Sequence, residues 1–186
     1  KKGVIMGDVH FSATPELLQP RISFILGTSP LPVHRPIRPI VFHDSPLVFR
    51  SGDSVRIAPG EVRHLQAHYV VNGDFSLVSL SPHMHIFGRS FRAYMVDGAD
   101  TTQLINIPDW DPAWQDFYLP ERPIHLRKGA QIFIEGKFDN TSANPRQPFN
   151  PPVPIGNGWK ITDEMFVMFM FGTPYRPGDE HMVFVR

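Results

Sequence analysis

Ser90-Phe91-Arg92-Ala93-Tyr94 places apolar and polar side chains in alternation. Successive residues of an extended chain point to opposite faces, so Phe91 and Ala93 share one face and Arg92 and Tyr94 the other. The stretch reads as a strand of a sheet buried on one side. Runs of similar character, rich in Val, Ile, Phe and Tyr and bounded by turn residues, extend from it in both directions. Upstream they cover residues 21–26, 39–42, 54–58, 63–71 and 75–80; downstream they cover 103–107, 115–119, 124–126, 131–138, 165–171 and 182–185. The chain has 20 prolines in 186 residues, about twice the usual share, which leaves little room for long helices. The run 165–171 is apolar on both faces, the mark of a central strand, whereas proline-rich 145–154 reads as an irregular loop. The expected fold class is all-β, an antiparallel β-sandwich.

The length suits one large domain, and 41% apolar residues with 15 Phe provide enough side chain to fill a core between two layers. The expected organisation is an N-terminal strand and Pro-rich arm at 1–39 joined to a sandwich at 40–186, the two forming one compact unit. Within the arm, 28–39 carries His34, Arg35 and Arg38 and reads as a linker, a surface clamp or a partner-binding arm. Lys plus Arg equals Asp plus Glu at 18 each, so no net field favours nucleic acid or an anionic membrane as partner. Without cysteine, thiolate metal sites, disulfides and thiol nucleophiles drop out together, and the redox compartment stays open. The start at 1–7 has no continuous apolar core of the kind an intact signal peptide needs, and reads as a processed or truncated end. The longest apolar stretch, 166–171, is far short of the roughly 20 residues of a membrane-spanning helix.

The sharpest local feature is Pro82-His83-Met84-His85, at the expected end of the strand 75–80. Residues two apart on an extended backbone share a face, so His83 and His85 can present two imidazoles to one metal while Met84 points away. The same spacing also occurs on plain sheet surfaces, so a third donor decides. Thr162-Asp163-Glu164-Met165 opens the most apolar run and offers one. A thioether beside two imidazoles favours Cu(I) over zinc and the hard cations, which makes copper the expected cofactor. Met168 and Met170 follow on the same run, and a methionine in a buried strand is usually core filler; periodicity alone does not choose among the three.

Three elements occur in order: Pro82-His83-Met84-His85-Ile86-Phe87-Gly88, Asp139-Asn140-Thr141-Ser142-Ala143-Asn144-Pro145 and Thr162-Asp163-Glu164-Met165. Together they resemble the C-terminal domain of the copper type II, ascorbate-dependent monooxygenases, the group of the peptidylglycine and dopamine hydroxylating enzymes. Bacterial members with a similar His-Met-His, Asp-Asn-Ser and Asp-Glu-Met series are the closest in likeness. The resemblance covers about residues 40–172. It implies an antiparallel jelly-roll sandwich, a periplasmic or extracellular location, and a copper held by His83, His85 and Met165 at which oxygen is activated. It also implies a partner, either a preceding copper domain or other proteins of a larger assembly.

The departures from that family bear on activity. Where its peptide-processing members carry an arginine two residues before the first ligand histidine, this chain has Ser81. Where they carry an asparagine and a tyrosine after the ligand methionine, it has Val167 and Phe169. Peptide hydroxylation is therefore not the expected activity. The family's second copper site has no counterpart, because His10, His34, His43, His64 and His68 are scattered. Three readings follow: a mononuclear copper, monooxygenase-like domain with a separate electron donor; a structural or interaction subunit of a larger assembly with an empty or vestigial site; and a copper carrier. Elsewhere, His64 and His68 read as surface histidines sharing a strand face. Trp110 and Trp114, among Asp109, Asp111 and Asp116, read as cover for the sandwich end, and Asn140-Thr141-Ser142 as a turn rather than a glycosylation acceptor.

Overall fold

The computed structural model describes residues 19, 21–27, 30–40 and 55–184. Residues 1–7, His10, Thr28, His43, and positions 41, 42, 54 and 185 of three expected strands lie outside the described residues. The chain divides into two units, Lys1–His34 and Arg35–Arg186. In the first, the described residues form no regular element, and Ile22, Phe24, Ile25 and Leu26 are exposed. The strand expected at 21–26 is thus absent. Its apolar residues have the propensity for a strand but, among the described residues, no neighbour that completes a ladder, and pairing rather than propensity makes a strand.

The second unit is all-β. Its strands are β1 (Arg38–Pro39), β2 (Arg56–Ile57), β3 (Val62–Val70), β4 (Phe75–Met84), β5 (Gly88–Asp97), β6 (Asp100–Ile107), β7 (Ile124–Leu126), β8 (Gln131–Asp139), β9 (Ile155–Gly156) and β10 (Phe166–Pro174). Single 3-10 turns lie at Pro112–Trp114 and Asp179–His181. All strand pairs are antiparallel, in a sheet of order β1-β10-β4-β7, a second of order β3-β8-β5-β6 and a two-stranded β2-β9. The two larger sheets pack together through their apolar faces: Phe166 of β10 meets Phe91 of β5 and Phe138 of β8 edge-on, each at 5.6 Å between ring centres. All three rings are buried, and each contributes about 1.5–3 kcal/mol through the area it removes from water. Phe91 and Ala93 point into this core and Arg92 points out, as the alternation requires. Among the described residues no helix is long and apolar enough to cross a membrane.

Two expected strands at the periphery are not strands. The run 115–119 touches β4 through a single bridge between Leu80 and Tyr118, and 182–184 is irregular. β4 runs past Leu80 to Met84 although Pro82 interrupts it. Leu80 N–H donates to the Tyr118 carbonyl, so the nitrogen of Pro82, two residues on, faces the same side, away from β10. No ladder hydrogen bond to β10 is lost there.

The ladder between β10 and β4 shifts register at Phe171/Gly172. A Cβ on Gly172 would lie 2.4 Å from the backbone oxygen of Ser76 and 2.8 Å from Ile40 Cδ1. The Ser76 oxygen belongs to the backbone of β4 and cannot yield without moving the strand, although the Ile40 methyl, at the end of a side chain, can. Gly172→Ala is expected to cost about 1–3 kcal/mol, read as a lower urea midpoint at unchanged slope; an unchanged midpoint would show that the strands separate freely at this point.

Of the three roles open to the Pro-rich segment, the structure gives Arg35 that of a clamp. Its guanidinium donates to both carboxylate oxygens of Asp179, at 2.8 and 2.7 Å, and to the carbonyl of Pro174 at 2.9 Å. Ser76 Oγ donates to the same carboxylate at 2.6 Å and Arg176 N–H at 3.0 Å. The hydrogen bond from Arg35, with those from Ser76 and Arg176, holds the Asp179 carboxyl well below the usual carboxylate range, against the opposing effect of burial. A carboxyl with a lowered folded pKa stabilises the fold fully above its unfolded value of about 4, and that contribution fades as the pH falls toward the folded one. Asp179→Asn is expected to lower stability at neutral pH and to flatten its decline in acid. Urea midpoints from neutral to strongly acidic pH check this, and parallel curves for the two proteins would refute it.

Candidate metal centre

His83 is the last residue but one of β4, paired with Val167 of β10, and Met84, which ends the strand, is paired with Phe166. Met84 and Phe166 are buried in the core, so His83 and Val167 lie on the outer face of the sheet. The imidazoles of His83 and His85 are 5.1 Å apart between ring centres and nearly perpendicular, at 86°. Met168 and Met170 pair with Pro82 and Leu80 and face the core, where both pack into the apolar clusters. The ladder thus turns these two methionines inward and ends at Phe166, one residue after Met165.

His85 is buried, and its Nδ1 lies 3.1 Å from the carbonyl oxygen of Asp163. A carbonyl only accepts, so Nδ1 carries the proton and the lone pair of the neutral ring sits on Nε2. This is how metal-binding histidines are commonly oriented by a neighbouring acceptor. The Asp163 carboxylate turns elsewhere and accepts from Lys160 N–H at 3.2 Å.

Glu164 is the centre of the arrangement, with no solvent exposure. Its Oε1 accepts from the backbone N–H of His85 at 2.5 Å and of Met165 at 2.8 Å, and its Oε2 accepts from Phe87 N–H at 3.1 Å. One carboxyl therefore ties the turn after β4 to the start of β10. Burial pushes this carboxyl up to about 8, while the N–H groups of His85, Met165, Phe87 and Gly88 pull it down.

The second motif supports the same turn from the other side. Asp139 N–H donates to the Phe87 carbonyl at 2.9 Å, and Arg146 donates to the carbonyls of Gly88 at 3.0 Å and Trp110 at 2.8 Å. Asn140 is fully buried; its Nδ2 donates to the carbonyls of Ile57, Ala58 and Val153, and its Oδ1 accepts from Gln147. Thr141 N–H donates to Asp139 Oδ1, closing the turn, and a side chain so enclosed is no acceptor for a glycan. Gly88 packs under Trp110 and Met84: a Cβ there would lie 2.9 Å from Trp110 Cδ1 and from Met84 Cε. The three sequence motifs meet around residues 85–88.

Among the described residues no three His, Cys, Asp or Glu side chains gather as a metal set. A site at His83 and His85 therefore depends on the Met165 thioether as third donor. His64 and His68 lie exposed on β3, where His68 stacks on Phe133 at 5.6 Å. Trp110 is buried as expected, but Trp114 is 75% exposed. It sits on a one-turn 3-10 segment and lines a shallow cavity with Ile107 and Trp110. Arg146 was not singled out by the sequence and carries no local signal beyond following Asn144-Pro145.

Neither the known protein families nor the curated proteins contain a match to this chain.

Proposed function

We propose that the sandwich is a mononuclear copper domain of jelly-roll topology, related to the C-terminal domain of the copper type II, ascorbate-dependent monooxygenases, with His83, His85 and Met165 as its ligands. The observation that carries this reading is the pair of imidazoles on one sheet face, with the His85 tautomer set by Asp163 and the backbone of the turn held by Glu164. Two imidazoles and a thioether fit copper better than zinc or a hard cation. Copper bound there supplies the redox couple for inserting one oxygen atom of O2 into a C–H bond, with two electrons and two protons consumed and one water released. The electrons come from a donor of the ascorbate class outside this chain. The chain's own part is to orient the two rings and keep the His85 proton on Nδ1.

The location belonging to this reading is periplasmic or extracellular, with a second copper domain or an electron donor as partner. Loading the full chain with Cu(I) under ascorbate, followed by desalting, is expected to leave one copper per chain, and His85→Ala to leave none. A native chain that retains no copper would remove both the enzyme and the carrier readings and leave a sandwich that serves as a structural subunit.

A further inference from the structure

The sheet β3-β8-β5-β6, which carries none of the candidate ligands, has a cavity of about 750 Å³ on its outer face, within the roughly 300–1,000 Å³ of small-molecule sites. Phe91 and Ala93 point into the core, so Arg92 and its ladder neighbours Glu135 and Asn106 line the outside. One row on, Ser90 pairs with Lys137. Gly88 pairs with Phe138, so Arg89 is the extra residue of a bulge on β5, a feature that re-aims side chains. Arg89 also lines the cavity, and its carbonyl accepts from Trp110 N–H at 2.9 Å, which pins the bulge to the segment that supplies Asp109. Arg89 is half-buried, yet among the described residues its guanidinium has no hydrogen-bonded or ionic partner, and neither has the Lys137 ammonium. The acids of the lining do not neutralise them. Glu135 accepts from Tyr94 Oη at 2.9 Å and from Gln66 Nε2 at 3.1 Å, and lies 3.9 Å from Arg92. Asp109 forms no ion pair among the described residues. Three cations thus share the lining with two carboxylates, one of which is already taken.

We propose that this cavity binds an anionic carbohydrate, with the carboxylate or phosphate of the sugar on Arg89 and Lys137 and its hydroxyls on Ser90, Asn106 and Asp109. A guanidinium partly withdrawn from water keeps donors that need acceptors, and an oxyanion meets them through charge-assisted hydrogen bonds. The hydroxyl of Ser90 and the amide of Asn106 donate and accept, and the Asp109 carboxylate accepts, which suits hydroxyl groups rather than an apolar body. The site lies on the sheet opposite the one that carries His83, so the inference is independent of the copper reading.

Titrating the full chain with glucuronate, glucose 6-phosphate, glucose and inorganic phosphate, followed by amide NMR, tests this. At least one of the two charged sugars is expected to bind saturably and to shift the amides of Arg89, Ser90 and Lys137, and the tighter of the two identifies the anionic group. Glucose and inorganic phosphate, each lacking half of the recognition, are expected to bind about tenfold more weakly or worse. Arg89→Gln should weaken the tighter sugar about tenfold. Lys137→Gln, at an exposed position where the fold is indifferent, should weaken it severalfold with an unchanged urea midpoint. Lys128→Gln, an exposed lysine between β7 and β8 and outside the cavity, should leave binding as it was. No saturable binding of either charged sugar, glucose or inorganic phosphate as tight as the charged sugars, or a loss in Lys128→Gln equal to that in Lys137→Gln overturns the inference.

Discussion

Glu164→Ala is expected to lower the unfolding free energy by about 3–5 kcal/mol and to abolish copper retention at the same time. The carboxyl accepts from three backbone N–H groups, those of His85, Phe87 and Met165, in a place without solvent exposure. Each buried donor left without an acceptor costs about 1–3 kcal/mol, less whatever entering water restores. Glu164→Gln keeps one oxygen for His85 and Met165 but turns an NH2 group toward Phe87 N–H, so one donor is lost rather than three. Its cost is expected to be about 1–2 kcal/mol. The same N–H groups set the backbone of the turn that aims His85, so the alanine variant loses its grip on the ring orientation as well as on the fold. Urea unfolding, with amide exchange at His85 and Phe87, tests both parts. A loss below 1 kcal/mol, or slow exchange at those two amides in the alanine variant, would mean that the turn is held by its other contacts, through Asp139 and Arg146.

How far the sequence could be read differs between face and edge. Phe91, Ala93 and the run 124–126 were legible because alternation and bounding turn residues report directly on a half-buried, paired backbone. The run 21–26 has the same composition and no ladder partner among the described residues, and 115–119 bridges β4 at one residue only; pairing is not written in either segment. β4 was read four residues short because proline usually ends a strand, and only the topology reveals that the nitrogen of Pro82 faces away from β10. At the candidate site, His83 and His85 were legible from a spacing of two. The role of Glu164 was not, since an acidic residue before an apolar strand reads as a surface residue until its three donors are placed around it. That Met168 and Met170 face the core became legible only once β10 was registered against β4.

The proposed ligand set leads to the last expected result: Met165→Ala should weaken Cu(I) far more than Cu(II). A thioether is a soft donor and favours the reduced ion, while imidazole serves both oxidation states. We expect Cu(I) affinity to fall roughly a hundredfold, about 2.8 kcal/mol, and Cu(II) affinity by less than tenfold. Such a difference lowers the reduction potential of the site by roughly 60 mV or more, at about 59 mV per tenfold for one electron. His83→Ala, which removes a donor common to both states, should weaken Cu(I) and Cu(II) together and move the potential less. Met168→Ala provides the control, because its side chain packs in the core on the face opposite His83. Met168 is partly buried, so the change should lower the urea midpoint by less than the ~2–5 kcal/mol of a fully buried methionine, and leave the potential where it was. Competition with a chromophoric Cu(I) chelator and voltammetry of the loaded chain read these quantities directly. A Met165→Ala protein with unchanged Cu(I) affinity, or a Met168→Ala protein that shares its drop in potential, would show that the ion is not held by Met165.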